Sequence, residues 1–161
     1  DIDEEKTKQL ADKYGAKVVS PDKILQTPCD VLAPCAMGGI LNTQTITALN
    51  CRAVAGGANN QLLRKEDGNL LKMRRILYAP DFVINAGGLL NVAVEIEERG
   101  YDPKVAWRHT NEIYDNLLAI YEIAAKNNIS TYEAAIALAE YRLQYGIGRR
   151  IKPPVFHYAC K

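Results

Sequence analysis

The sequence predicts an α/β protein organised around a parallel sheet, and two observations support this fold class. Apolar runs of strand length alternate along the chain with segments of helical periodicity. The runs at residues 30–34 and 51–55 are apolar on both faces, without the polar alternation of a half-exposed strand. Strands of this kind are typical of a parallel sheet that helices cover on both sides, as in doubly wound folds.

The first part of the chain contains a predicted helix with a start and a stop signal. Asp3 can cap the free amide groups of its first turn, and Gly15 can end it in the left-handed conformation. We expect Leu10, Ala11 and Tyr14 to form its inner face. A single helical turn is predicted to begin at Ser20. The predicted strands lie at residues 16–19, 30–34, 51–55 and 76–78.

Each later helix is expected to begin at a residue whose side chain can cap its free amide groups. The expected caps are Asn42 or Thr43, then Asp102 before Pro103, then Ser130 in a capping box with Glu133. A further polar helix is expected to end near Lys72. Residues 1–145 are interpreted as one domain portion, and residues 146–161 as a tail that is either mobile coil or a docking segment.

Composition excludes several classes of function. At 161 residues the chain is about one domain long, and its formal net charge of +1 does not favour nucleic acid or a membrane surface. No apolar run reaches the roughly 18 residues that a membrane span needs. The acidic first residues do not resemble the positively charged start of a secretory signal, so we expect a cytoplasmic protein.

The four cysteines do not indicate a metal site or a disulfide. None belongs to a CxxC pair, and the chain has only two histidines, so a zinc site is not expected. If the intervening residues are extended, Cys29 and Cys35 lie about 20 Å apart, too far for a disulfide. We therefore interpret them as buried thiols in a reducing compartment.

Glycine and asparagine residues cluster where the predicted strands end. Gly38-Gly39 and Gly56-Gly57 each follow a strand, and the stretch at residues 76–94 passes from a strand through Asn85 and Gly87-Gly88 into a helix. The carboxyl ends of parallel strands lie at one edge of a sheet, where ligands bind. Glycine lets the main chain approach a ligand closely. The alternative interpretation is ordinary turn and helix-capping residues.

The amide side chains in these loops indicate a class of ligand. Asn59-Asn60 and Asn85 offer a hydrogen-bond donor and an acceptor together, without charge. This chemistry suits the carboxamide of nicotinamide or the main chain of an amino acid. The sequence therefore predicts a binding site for one of these groups at the carboxyl edge of the sheet.

At these residues the chain resembles the C-terminal half of the leucine, phenylalanine, valine and tryptophan dehydrogenases, which are relatives of glutamate dehydrogenase. The matching segments are CDVLAPCAMGGILN, AVAGGANNQL and ILYAPDFVINAGGLLNV, followed by YDNLLAIYEIA. The similarity runs from about residue 1 to residue 142, which is most of the chain. It implies a Rossmann-type, doubly wound parallel sheet followed by C-terminal helices.

The resemblance also implies an activity and a set of site residues. Family members interconvert an L-amino acid with its 2-oxo acid and ammonia, and transfer hydride to NAD.

The residues implied to contact the cofactor are Asp1 at the adenosine ribose, Cys35, Ala36 and Met37 beside a ribose, and Asn59 and Asn85 at the nicotinamide. The residues implied to contact the substrate are Asn60 at its main chain, and Leu89 and Val92 at its side chain. A carboxylate at Asp1 would favour NAD over NADP, whereas the alternative for this residue is a frayed chain end. For Leu89 and Val92, simple core packing is the alternative.

Several features of the family pattern do not occur in this chain. They are the glycine-rich phosphate turn, the two lysines and the aspartate that bind the substrate carboxylate and carry the acid/base work. We therefore expect no catalytic residue here, and a chain that is not competent alone. The alternative is a non-catalytic pseudo-enzyme or interaction module.

The resemblance further implies that the first two strands of the sheet are absent from this chain. We expect a preceding half to supply them, either on the same chain or on a second one, because unpaired strand edges are costly. Otherwise residues 16–19 would pair directly with residues 30–34. A homo-oligomer is also expected.

Overall fold

The computed structural model describes residues 1–97 and 100–145, and it contains a small parallel sheet. Its strands are β1 (Val31–Leu32), β2 (Ala53–Val54) and β3 (Leu77–Tyr78), in the spatial order β1-β2-β3. Both pairings are parallel, and Val31, Ala53 and Leu77 lie opposite one another. The predicted α/β class and the parallel arrangement of these three strands are confirmed.

Seven helices accompany the sheet in the described residues. They are α1 (Glu4–Tyr14), α2 (Thr43–Ala48), α3 (Asp67–Met73), α4 (Asp81–Ile84), α5 (Gly87–Ala93), α6 (Pro103–Asn127) and α7 (Thr131–Tyr145). Short 3₁₀ turns occur at Ile24–Gln26 and Val94–Ile96. The expected caps are confirmed, because the side chains of Asp3, Asn42 and Asp102 accept main-chain N–H groups at the starts of α1, α2 and α6.

The predicted strand at residues 16–19 is wrong. These residues have no regular secondary structure, and they do not pair with β1. Apolar composition alone does not make this segment a strand, because a strand exists only where a neighbouring backbone accepts and donates its hydrogen bonds. Within the described part of the chain, β1 is therefore an edge strand. Direct pairing of residues 16–19 with residues 30–34 is excluded for the same reason.

The sheet is covered on one face only in the described residues, so the prediction of cover on both faces is wrong for this part of the protein. The covered face contributes Val54 and Tyr78 to a core that also includes Leu41, Ile46, Leu49, Leu71 and Ile76. On the other face, Val31 is 54% exposed and Leu77 is 46% exposed. The helix α1 does not cover this face, because no residue of α1 is buried. Leu10, Ala11 and Tyr14 therefore do not form the expected inner face.

The helices α6 and α7 pack against each other through a second core. It is formed by Ile120, Ala124, Ala134 and Ala135. The start of α7 is held by the predicted capping box, in which Glu133 accepts hydrogen bonds from the main-chain N–H and the hydroxyl of Ser130. These bonds, together with one from Asn69 on α3, hold the pKa of the Glu133 carboxyl below its ordinary value.

The prediction that Cys29 and Cys35 are buried is wrong. Both thiols are exposed and free, because each lies in a loop beside the short strand β1 and not within it. Among the helices of residues 1–97 and 100–145, none is both long enough and apolar enough to cross a membrane. The two interpretations of the tail at residues 146–161 concern residues outside the described part.

Candidate functional site

Three loops at the carboxyl edge of the sheet contact one another. We call them the first rim loop (residues 33–40), the second rim loop (55–62) and the third rim loop (79–86). The main-chain N–H of Ala58 donates to the Pro34 carbonyl at 2.9 Å, and that of Gly39 donates to the Asn60 carbonyl at 2.7 Å. The main-chain N–H of Asn60 donates to the Asp81 carboxylate at 2.7 Å. The predicted convergence of the loops is therefore a property of the fold.

Glycine is required where the first two rim loops meet. A Cβ atom on Gly56 would lie 2.2 Å from the carbonyl oxygen of Pro34 and 2.4 Å from its nitrogen. A Cβ atom on Gly38 would lie 2.8 Å from the carbonyl oxygen of Asn59. Both clashes involve backbone atoms, which cannot move aside as a flexible side chain can. At Gly38 and Gly56 the main chains of the first and second rim loops are therefore in direct contact with each other.

Asn59 and Asn85 form a side-chain pair across the second and third rim loops. The Nδ2 group of Asn85 donates to Oδ1 of Asn59 at 2.6 Å. This orientation directs the Asn59 amide NH₂ and the Asn85 carbonyl to other partners, and the described residues provide neither group with one. The pair therefore offers a ligand both donors and an acceptor at one place.

Asn60 has a fixed main chain and an exposed side chain. Its φ of +52° lies in the left-handed region, which asparagine adopts more readily than most residues. Its N–H is bonded to Asp81 and its carbonyl to Gly39. Asn60 therefore connects all three rim loops through one peptide segment.

Two buried polar residues in the rim were not identified from the sequence. Asp81 is 7% exposed, and its second carboxylate oxygen accepts the Tyr78 hydroxyl at 2.7 Å. Gln61 is fully buried, and its Nε2 donates to the carbonyls of Gly56 at 2.7 Å and Ala58 at 3.0 Å. The sequence marks these two residues only by position. Asp81 follows Pro80 at the start of a helix, and Gln61 directly follows the Asn59-Asn60 pair. Neither signal identifies the bonding partner.

Burial affects the titration of Tyr78. Burial of the ring, and then the hydrogen bond to the Asp81 carboxylate, raise the pKa of the Tyr78 hydroxyl far above its ordinary value. The hydroxyl is therefore protonated at every physiological pH, and it remains a donor to Asp81.

The residues Cys35, Ala36 and Met37 lie exposed in the first rim loop, next to the second. The main-chain N–H of Gly57 donates to the Cys35 sulfur at 3.4 Å. This contact places the thiol beside the loop that carries Asn59. The structure thus brings the predicted residues of the first and second rim loops to the same edge.

Three predicted site residues have a different placement. Leu89 and Val92 lie on α5, directly after the third rim loop, where they are 74% and 54% exposed. Neither residue belongs to the core of the described fold. Core packing among the described residues therefore does not explain Leu89 and Val92. Asp1 is exposed, and its carboxylate accepts the main-chain N–H of Asp3. Among the described residues, no hydrogen bond joins Asp1 to the rim.

Two further observations limit the choice of site. A cavity of about 310 Å³ lies between α3, β3, α6 and α7, and none of the predicted site residues lines it. Within residues 1–97 and 100–145, no cluster of histidine, cysteine, aspartate or glutamate has the arrangement of a metal site. The rim is therefore the place where the functional groups predicted from the sequence come together.

Comparison with known proteins gives consistent matches over most of the chain. Residues 2–144 match the family model described as glutamate/leucine/phenylalanine/valine dehydrogenase. The chain is 45% identical over 144 residues to the leucine dehydrogenase of Thermoactinomyces intermedius, a match that covers 89% of this chain and 39% of that protein. It is 46% identical over 144 residues to an L-tryptophan dehydrogenase of Nostoc punctiforme, covering 89% of this chain and 40% of the relative.

A solved structure shares both the sequence similarity and the fold. The crystal structure of L-tryptophan dehydrogenase from Nostoc punctiforme superimposes with a TM-score of 0.85 at 45% identity. The match covers 91% of this chain and 44% of that chain. The chain spans about two fifths of the length of the curated relatives it matches.

Proposed function

Because this chain belongs to the glutamate/leucine/phenylalanine/valine dehydrogenase family, as its motifs predicted, we propose that it is the cofactor-side part of an NAD-dependent L-amino-acid dehydrogenase. In this reaction an L-amino acid, water and NAD⁺ give the 2-oxo acid, ammonium, NADH and a proton. The observation that carries the proposal is the pairing of the Asn59 and Asn85 amides at the carboxyl edge of a parallel sheet.

The groups present at the rim fit a nicotinamide. Its carboxamide has one carbonyl and one NH₂ group, which are complementary to the NH₂ of Asn59 and the carbonyl of Asn85. In the proposed complex NAD supplies the acceptor for the hydride that leaves Cα of the amino acid. The chain's own contribution is to orient the ring through these two amides. Cys35, Ala36 and Met37 would border the ribose, and Asp1 would bind the adenosine ribose hydroxyls.

The substrate contacts within this chain are proposed to be Asn60, Leu89 and Val92. The amide of Asn60 would bind the amino-acid main chain. The exposed apolar side chains of Leu89 and Val92 are suited to a branched-chain or aromatic substrate, since such a surface favours an apolar ligand. The lysines and the aspartate of the family pattern would come from a preceding half, so this chain alone is proposed to be inactive.

The open parts of the sheet support a preceding half in cis or in trans. The edge of β1 has no strand beside it among the described residues, and Val31 and Leu77 are exposed on the uncovered face. Backbone groups and apolar side chains in these positions are stabilised when another segment covers them. We further propose a cytoplasmic homo-oligomer without nucleic-acid or membrane partners, and a tail at residues 146–161 that follows the cofactor-binding portion.

An activity assay on the full-length protein tests this proposal. We expect NADH to form with at least one of L-leucine, L-valine and L-phenylalanine, and we expect NAD to be used in preference to NADP. Calorimetry with NAD provides a readout that does not depend on the substrate. A full-length protein that is folded, binds no NAD and oxidises none of these amino acids would overturn the proposal. That result would favour the non-catalytic alternative.

A further inference from the structure

We propose that Asp81 is a positioning residue that fixes Asn59 and Asn85 relative to each other. The inference deepens the proposed function and rests on it, because it concerns the same rim. Asp81 has no predicted contact with cofactor or substrate. Its proposed effect is transmitted through the main chain of Asn60 and through the helix α4, which Asp81 begins.

The side chain of Asp81 holds the second rim loop. One carboxylate oxygen accepts the main-chain N–H of Asn60 at 2.7 Å, and the other accepts the Tyr78 hydroxyl at 2.7 Å. The main-chain N–H of Asp81 also donates to the Tyr78 hydroxyl oxygen at 3.3 Å. Since Asp81 is 7% exposed, water does not compete freely for these bonds.

The main chain of Asp81 holds the third rim loop. Its carbonyl accepts the main-chain N–H of Asn85 at 2.9 Å, which closes the single turn of α4. One residue is thus bonded through its carboxylate to the residue after Asn59, and through its carbonyl to Asn85 itself. A displacement of Asp81 would change the distance between the two amides that form the pair.

The left-handed conformation of Asn60 explains why a strong acceptor is needed at this point. A residue with φ of +52° is held in a sparsely populated region, so the loop has a tendency to relax away from it. A carboxylate forms shorter and stronger hydrogen bonds than a neutral acceptor does. We infer that the bond from Asn60 to Asp81 offsets this tendency, and so keeps Asn59 in reach of Asn85.

The chain contains a matched control in Asp67. This carboxylate is also buried, and it accepts the main-chain N–H of Arg64 at 2.9 Å and the Thr43 hydroxyl at 3.4 Å. The chemistry is the same as at Asp81, namely one backbone N–H and one hydroxyl. Asp67 begins α3, however, and it is not bonded to any rim loop. Removing it should destabilise the fold without changing the arrangement of the asparagine pair.

The test compares full-length variants by NAD kinetics and by hydrogen exchange. We expect Asp81→Ala to raise KM for NAD by about tenfold or more, and to abolish the exchange protection of the Asn60 amide. We expect Asp81→Asn to raise KM for NAD less than Asp81→Ala does, because its neutral oxygen is a weaker acceptor that can still bond Asn60 while its NH₂ donates to the Tyr78 oxygen. Asp67→Ala should leave KM for NAD within about twofold of wild type.

A second set of variants keeps the test informative if Asp81→Ala fails to fold. Tyr78→Phe should have a small effect, because the bond from Asn60 to Asp81 remains. The double variant Tyr78→Phe/Asp81→Asn removes the Tyr78 oxygen that would orient the new amide toward Asn60, and we expect it to raise KM for NAD more than either single variant does. A folded Asp81→Ala or double variant with the wild-type KM would overturn the proposal, and so would an equal rise in Asp67→Ala. Absence of NAD binding by the wild type would instead be a failure of the proposed function.

Discussion

Substitution of Gly56 by alanine is expected to destabilise the protein by about 3 kcal/mol or more, since it forces a methyl group into a closely packed interior. The new Cβ atom would lie 2.2 Å and 2.4 Å from the oxygen and nitrogen of Pro34. Relief of this clash requires the first and second rim loops to separate. Their separation would break the hydrogen bond from Ala58 to Pro34 and displace the carbonyls that Gln61 holds. The free energy of unfolding from urea titrations measures the effect.

Gly57→Ala is the matched control for this substitution. A Cβ atom on Gly57 would meet only the Cys35 sulfur at 3.9 Å, which is an ordinary contact distance. We expect a change in unfolding free energy of about 1 kcal/mol or less, because the site has room for the methyl group. Equal effects of the two substitutions would contradict the close approach of the rim loops.

Loss of the asparagine pair is expected to reduce kcat/KM of the proposed full-length dehydrogenase by about 10- to 100-fold for each single alanine substitution. Asn59→Ala removes the donor proposed for the carboxamide oxygen, and Asn85→Ala removes both the proposed acceptor and the bond that orients Asn59. In the double variant the loss of transition-state stabilisation free energy should be smaller than the sum of the two single losses, since the residues act as one unit. Steady-state kinetics with NAD and the best amino-acid substrate provide the measurement.

Asn69→Ala controls for the general effect of removing an amide. Asn69 donates a side-chain hydrogen bond to Glu133 at 3.2 Å, in the contact between α3 and α7. It has no bond to a rim loop, so its loss should leave kcat/KM within about twofold of wild type. If Asn69→Ala reduced activity as strongly as Asn85→Ala, the rim would have no special role.

The helix starts were predictable because their signals are local. Asp102 before Pro103, and Asn42 before α2, cap amide groups within three residues of themselves, so the relevant chemistry lies within the sequence window. The strand predicted at residues 16–19 fails for the opposite reason. Its existence depends on a partner strand that no local pattern reveals. The exposure of Leu10 and Tyr14 on α1 likewise depends on what lies beside the helix.

The part of the candidate site that could be predicted consists of residues placed just after the ends of strands. Asn59 and Asn85 follow neighbouring parallel strands, and for that reason their side chains meet. Asp81 was not identified, because its partner Asn60 lies 21 positions earlier in the chain. Gln61 was not identified either, because an exposed glutamine and a buried one have the same sequence signature. Residues that hold the rim loops together are thus found from contacts, whereas residues that meet at the ends of neighbouring strands can be found from topology.

A crystal structure of the full-length protein with NAD tests the central claim most directly. We predict that the nicotinamide carboxamide lies within hydrogen-bond distance of the Asn59 and Asn85 amides, at the carboxyl ends of β2 and β3. A nicotinamide bound elsewhere, such as in the cavity between α3 and α6, would contradict the account, and so would an asparagine pair that stays bonded only to itself beside a bound cofactor.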